Sequence, residues 1–147
     1  NLEWNVKRII SKANYHIHTD AIKNHIIPQT NFTKQFEWII YAEEADLLNV
    51  ALFGCTAKHW REANPEHDKQ GLNIRDFASI NELAVLSNLE TINAEFIKNK
   101  IDKKLRFTEL REISQYQLNI LNNTYYIKAI KKLSDTTYID EEKRIDK

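Results

Sequence analysis

Apolar residues recur at helical spacing along most of this chain. Leu2, Val6, Ile9 and Ile10 step by four, three and one, with Glu3, Lys7, Arg8 and Lys12 around them, which predicts a short amphipathic helix over Leu2–Ala13. Asn14 is a candidate left-handed stop, and Tyr15-His16-Ile17-His18 alternates like a brief extended stretch. Thr19 sits at an N-cap position ahead of Ile22, Ile26 and Ile27, and Pro28 closes that helix. After a loop over Gln29–Asn31, Phe36, Ile39 and Ile40 lead from Thr33 into the most apolar run, Ala45 to Phe53. This segment reads as a helix with a break near Glu43 and an end at Gly54. Thr56 is placed to cap a short helix through Trp60 and Ala63, stopped by Asn64-Pro65, and Glu66–Gly71 reads as a polar loop.

The second half predicts longer elements. Ser79-Ile80-Asn81-Glu82 matches a capping box, in which hydroxyl and carboxylate satisfy orphan amides reciprocally. Behind it Val85, Leu89, Ile92 and Phe96 form one stripe to about Asn99. Asp102 then opens a helix in which Leu110, Ile113, Gln117, Ile120, Thr124 and Ile127 alternate steps of three and four. At 1.5 Å per residue these helices run to roughly 30 Å and 45 Å, and the connection suits only an antiparallel hairpin. The expected fold is therefore all-α, with short helices packed against a long antiparallel helical hairpin. Residues 1–133 form one domain in this reading, followed by a partly ordered charged tail over 134–147 with a short ordered piece at Tyr138-Ile139.

Composition sharpens the fold class and removes several functions. Two glycines and two prolines in 147 residues leave little turn chemistry for an all-β domain. Twenty-one Lys+Arg balance twenty-one Asp+Glu, which disfavours a generally cationic protein coating nucleic acid or an acidic membrane surface. No apolar run approaches the roughly 18 residues of a membrane span. A single cysteine, Cys55, permits no internal disulfide and reads as a small core residue; with no secretory pattern at the start, the expected compartment is the reducing cytoplasm. The chain contains no methionine and opens inside an amphipathic helix, so it is expected to be a piece of a longer protein.

Candidate chemistry is sparse. His16-x-His18 could place two ligands on one strand face, with His59 and His67 able to supply more, and a metal-dependent hydrolase would use His16, His18 or His59; no HExxH or paired CxxC spacing supports it. The alternative is surface or hydrogen-bonded imidazoles. Nothing around Cys55 resembles a nucleophile motif, and Gly54 and Gly71 are too few for a phosphate-cradling loop. Charge is unevenly placed: residues 1–97 carry nine Lys+Arg against thirteen Asp+Glu, and residues 98–147 carry twelve against eight. Lys98, Lys100, Lys103, Lys104, Arg106 and Arg111 cluster at the hairpin turn, a candidate phosphate-contacting tip or simply a solvated loop attracted to the acidic half. Phe107 is the only ring there, so the aromatic interleaving of single-strand binders is missing. The polar Gln117 and Thr124 inside a helical stripe, with Tyr125-Tyr126-Ile127 beyond, point to a self-association surface or to core packing within one chain.

One stretch is distinctive. Thr56-Ala57-Lys58-His59-Trp60-Arg61-Glu62-Ala63-Asn64-Pro65, preceded by Ala51–Cys55 and followed by Gly71-Leu72-Asn73-Ile74-Arg75-Asp76-Phe77-Ala78-Ser79-Ile80-Asn81-Glu82-Leu83, resembles the region C-terminal to the DNA-binding module of KilA-N domain proteins, which derive from phages and mobile elements. The opening Asn1-Leu2-Glu3-Trp4-Asn5-Val6-Lys7-Arg8 and the later Asn88-Leu89-Glu90 with Asn93-Ala94-Glu95 are similar too, so the resemblance spans most of residues 1–121. It implies a C-terminal accessory domain of a DNA-binding regulator or antirepressor, with DNA contact made by an N-terminal module not contained in this sequence. It implies no catalytic residues and no cofactor.

Within that motif Trp60 reads as a buried anchor whose indole N–H needs a partner. Arg61, Arg75 and Asp76 flank the Glu66–Gly71 loop, and Arg61 or Arg75 paired with Asp76, Glu62 or Asp46 would clamp it. The sequence therefore points to a non-enzymatic, self-associating interaction domain, with a basic nucleic-acid-binding tip and a metal-dependent hydrolase as alternatives. If Arg75 is a brace, Arg75→Ala lowers stability by about 1–3 kcal/mol in a thermal melt; an unchanged melt with lost anion binding would mark a ligand contact instead.

Overall fold

The computed structural model describes residues 2–123, and among them every regular element is helical. The elements are α1 (Leu2–His25), α2 (Glu37–Phe53), α3 (Ala57–Ala63), α4 (Pro65–Lys69), α5 (Ile74–Phe77), α6 (Ile80–Lys98) and α7 (Lys103–Asn122). Short 3-10 turns at Ile27–Gln29 and Lys34–Phe36 link α1 to α2. The expected extension of α7 to residue 133, the Tyr138-Ile139 piece and the charged tail lie outside the described residues. No helix among the described residues is long and apolar enough to cross a membrane.

Several local expectations give way to tertiary contacts. α1 runs unbroken through Asn14 and through the stretch Tyr15–His18 that looked extended. Asn14 donates its amide to the Ser87 carbonyl at 2.9 Å, so its polar side chain serves α6 and leaves the local backbone helical. His18 is likewise turned inward. α2 has no break at Glu43; it ends where Gly54 adopts φ 82° and its N–H returns to the Val50 carbonyl, a left-handed cap that suits glycine. The Glu66–Gly71 loop is mostly α4, started by Pro65, a residue tolerated in a first helical turn. The first half therefore holds two helices as long as the pair in the second half.

The Thr56–Glu82 motif is a chain of helix caps. The Thr56 hydroxyl accepts from the His59 N–H at 3.1 Å. Asn64 donates its amide to the Trp60 carbonyl at 2.8 Å, closing α3. Asn73 and Asp76 form a capping box on α5, and Ser79 and Glu82 form the one expected on α6. Such caps contribute about 1 kcal/mol each. They fix the path of a segment that has little core of its own. Trp60 is buried against His67 and Phe77, ring centroids 6.2 and 5.8 Å away, while its indole Nε1 finds no hydrogen-bond partner among the described residues.

Side-chain pairings set the directions of the long helices. α7 is antiparallel to α6, since Asn81 bonds Asn122, Asn88 bonds Gln117 and Asn93 bonds Arg106. α1 is parallel to α6 through Asn14–Ser87 and His18–Asn93, and α2 is parallel to α7 through Glu43–Lys103, Glu44–Arg106 and Ala51–Ser114. The result is an up-down-up-down arrangement with α3–α5 spanning one end. The main core, with Leu48, Phe53, Trp60, Val85, Leu89 and Leu110, lies towards that end; a smaller one of Ile22, Ile40 and Ile97 lies towards the other. Cys55 packs in the main core, as its sequence context suggested.

Candidate functional site

Between the two apolar cores, each of the four long helices contributes one polar side chain to a single junction. Arg106 of α7 donates to both carboxylate oxygens of Glu44 of α2, at 2.6 and 3.0 Å, and to Asn93 Oδ1 of α6 at 3.0 Å. Its Nε–H donates to the Ile101 carbonyl at 3.0 Å, so every guanidinium nitrogen is engaged. The Asn93 amide lies 3.2 Å from Glu44 Oε1 and 2.8 Å from His18 Nε2, which brings in α1. Arg106 and Glu44 are both buried. A buried pair survives only with this degree of satisfaction, because desolvation costs several kcal/mol per ion.

Electrostatics follow from the burial. For Glu44, burial acts to raise the carboxyl, but the hydrogen bond and charge of Arg106, with Asn93 and His18 adding, outweigh it and hold the group below its usual range. His18 is pulled down to about 4, chiefly by burial, with the guanidiniums of Arg106 and Arg75 pushing the same way against Glu44. The imidazole is therefore neutral at pH 7, with Nε2 free to accept from Asn93.

A second buried acid lies on α6. Glu90 is 1% exposed; one oxygen lies 3.4 Å from Arg75 and the other has no partner among the described residues. Burial pushes this carboxyl up to about 7, against the pull of Arg75. Arg75 thus pairs with Glu90 of α6 rather than with the expected Asp76, Glu62 or Asp46. Asp76 is spent on the α5 capping box. Arg61 lies 3.9 Å from Asp68 of α4, with both side chains substantially exposed.

Of the six residues expected at a basic tip, the two arginines are engaged within the chain. Arg106 is internal, and Arg111 donates to the Val50 and Ala51 carbonyls at the end of α2, where a cation complements the helix dipole. Lys103 pairs with Glu43 at 3.1 Å. Lys98, Lys100 and Lys104 are exposed, with Lys100 at φ 63° in the turn. Beside this turn a cleft of about 400 Å³ is lined by Ile26, Ile40, Ile97, His25, Lys100 and the Arg106–Glu44 pair, among others. His16, His18 and His59 do not converge: His16 and His59 are exposed while His18 is internal. No group of three His, Cys, Asp or Glu among the described residues is placed to hold a metal ion.

The sequence alone assigns Glu44, Asn93 and Glu90 no site role, although Asn93 and Glu90 interrupt the apolar side of α6 beside Leu89 and Ile97. The other feature that stands out is on the surface. Leu2, Val6, Ile9 and Ile17 share a face of α1 with Ala13, at steps of four, three, four and four, and are 79%, 37%, 67% and 50% exposed. His18, Ala21 and Ile22 on the opposite side are buried. Comparison with family models, curated proteins and solved structures finds no match to this chain.

Two predictions follow from the buried charges. Glu44→Gln leaves the Arg106 charge without its counterion and is expected to cost about 3–5 kcal/mol in chemical denaturation. Replacing the pair together, Glu44→Leu with Arg106→Met, is expected to cost much less than the two single changes summed. The pH dependence has opposing parts. His18, depressed in the folded state from 6.5 to about 4, contributes stability that is lost as pH falls from 6.5 towards 4. Glu90, raised from 4.5 to about 7, contributes stability that is lost as pH rises through 7. Glu90→Gln is expected to be more stable than the parent at pH 8, by about 2–3 kcal/mol, and to lose that advantage near pH 4.5; urea midpoints at the two pH values measure it.

Proposed function

We propose that this chain is a non-enzymatic self-association module of a DNA-binding regulator of the KilA-N type, with α1 as its contact surface and DNA bound by a separate N-terminal module. The observation that carries the reading is the apolar stripe on α1. Leu2 to Ile17 spans about 22 Å along a helix, long enough for a helix-to-helix contact with a second copy. Isolated exposed apolar residues are ordinary on protein surfaces, but a continuous stripe at a, d-like spacing is the geometry a partner helix requires. The α6–α7 seam is a poorer surface for this purpose. The polar positions that hinted at an outward face there are matched within the chain, Asn88 with Gln117 at 2.9 Å and Asn81 with Asn122 at 2.8 Å.

The four-way junction supports a scaffold role. Its polar groups are committed to one another, as they are in a structural network. The cytoplasm is the setting such a regulator implies. Sedimentation velocity on the whole chain tests the proposal: a monomer–dimer equilibrium is expected, with the dimer prominent at high micromolar concentration, and Ile9→Asp with Ile17→Asp is expected to shift it at least tenfold towards monomer while the circular dichroism melt stays within a few degrees. A parent chain that stays monomeric at that concentration overturns it.

A further inference from the structure

The turn from α6 into α7 closes through a residue that its backbone does not favour. The Lys100 N–H returns to the Ile97 carbonyl and the Ile101 N–H to the Phe96 carbonyl, each at 3.0 Å, the pair of bonds that ends a helix through one left-handed residue. That residue is Lys100, at φ 63°, and no other non-glycine residue among the described residues has a positive φ. Glycine takes this conformation freely, whereas a Cβ crowds the neighbouring carbonyl. The turn by itself therefore calls for glycine. Lysine in its place adds a cationic side chain to the lining of the cleft of about 400 Å³ beside the turn.

The cleft has the make-up of a small-molecule site, which typically encloses about 300–1,000 Å³ between apolar walls with a few polar groups converging on them. Ile26 after α1, Ile40 of α2 and Ile97 of α6 bring apolar surface from three parts of the chain. Most of the charge around them is already spent. Arg106 is held by Glu44, Lys103 by Glu43 at 3.1 Å, and Asp102 accepts from the Leu105 N–H at 3.0 Å at the positive end of α7. The Lys100 ammonium has no hydrogen-bond or ion-pair partner among the described residues. The lining is also held in place before any ligand arrives: the Thr30 hydroxyl donates to the Ile27 carbonyl at 2.8 Å, and the Lys103–Glu43 pair ties α7 to α2. Little binding energy is then lost to ordering the site.

We propose that this cleft binds a small aliphatic carboxylate, with the Lys100 ammonium meeting the carboxylate and Ile26, Ile40 and Ile97 covering the hydrocarbon. Phosphate fits less well. Phosphate sites gather several donors around the ion, as a guanidinium fork or a ring of backbone N–H groups, and every nitrogen of the Arg106 guanidinium is already engaged. None of the lining residues belongs to the Leu2–Ile17 stripe, so the proposal stands or falls apart from self-association.

Nuclear magnetic resonance titration of the full chain at pH 7 tests it, with 4-methylpentanoate as the probe and 4-methylpentanamide and inorganic phosphate as comparisons. Saturable shifts are expected at the amides of Ile97, Lys100 and Ile101, with a millimolar or tighter Kd. The neutral amide is expected to bind at least tenfold more weakly, as is the carboxylate to Lys100→Met and to Lys100→Gly. Lys100→Gly is expected to melt at or above the parent temperature, since it relieves the left-handed lysine, so its lost binding reports the missing ammonium rather than a lost fold. No saturable shift with the carboxylate, equal binding of the amide, or full binding by Lys100→Met overturns the proposal. Tighter binding of phosphate than of the carboxylate overturns the role of the apolar walls, and a lower melting temperature for Lys100→Gly overturns the argument that the lysine serves the cleft instead of the turn.

Discussion

The fold depends on one buried charge pair, Arg106 with Glu44, and on the Asn93 side chain and Ile101 carbonyl that complete its hydrogen bonding. An isolated guanidinium in this interior would be prohibitive. Here Glu44 meets it with both oxygens, Ile101 offers a carbonyl and Asn93 offers an amide oxygen. Because Arg106, Glu44 and Asn93 come from α7, α2 and α6, and His18 of α1 joins through Asn93, the whole network is satisfied in only one register of the four helices. Apolar contacts between helices tolerate slippage by a turn at moderate cost; a buried network with every donor assigned does not.

This register has consequences at both ends of the molecule. At the turn between α6 and α7, it draws Arg106 inward and leaves Lys98, Lys100, Lys103 and Lys104 exposed. Arg111 is drawn onto the end of α2. At the opposite end, α1 is held parallel to α6, so that its first turns sit beside the start of α6 with Leu2, Val6 and Ile9 facing away from the bundle. The same constraint that closes the interior thus leaves the apolar stripe of α1 outside it.

The capped segment Thr56–Glu82 shows the complementary strategy. With helices of seven, five and four residues, α3–α5 cannot hold themselves by length. Backbone groups are satisfied by Thr56, Asn64, Asn73 and Ser79, and Arg75 ties the segment to the buried Glu90. The most distinctive stretch of sequence is, in physical terms, a set of instructions for turning corners.

How much was legible beforehand follows from which forces are local. Turn-poor composition, helical periodicity and cap chemistry act within a few residues, so the all-α class, the α6 capping box, the Thr56 cap, the Asp102 cap and the end of α2 at Gly54 could be read directly. Asn14 and His18 misled because a polar side chain in a helix looks like a stop until its distant partner is known; with Ser87 and Asn93 supplying those partners, α1 continues. The same holds for Arg106, indistinguishable in sequence from its lysine neighbours and placed inside only by Glu44, sixty-two positions away. Local propensity and capping decided where helices form; which polar residues are interior, and hence which face of α1 is left uncovered, was decided by long-range pairing, because the desolvation of a charge is compensated only in three dimensions.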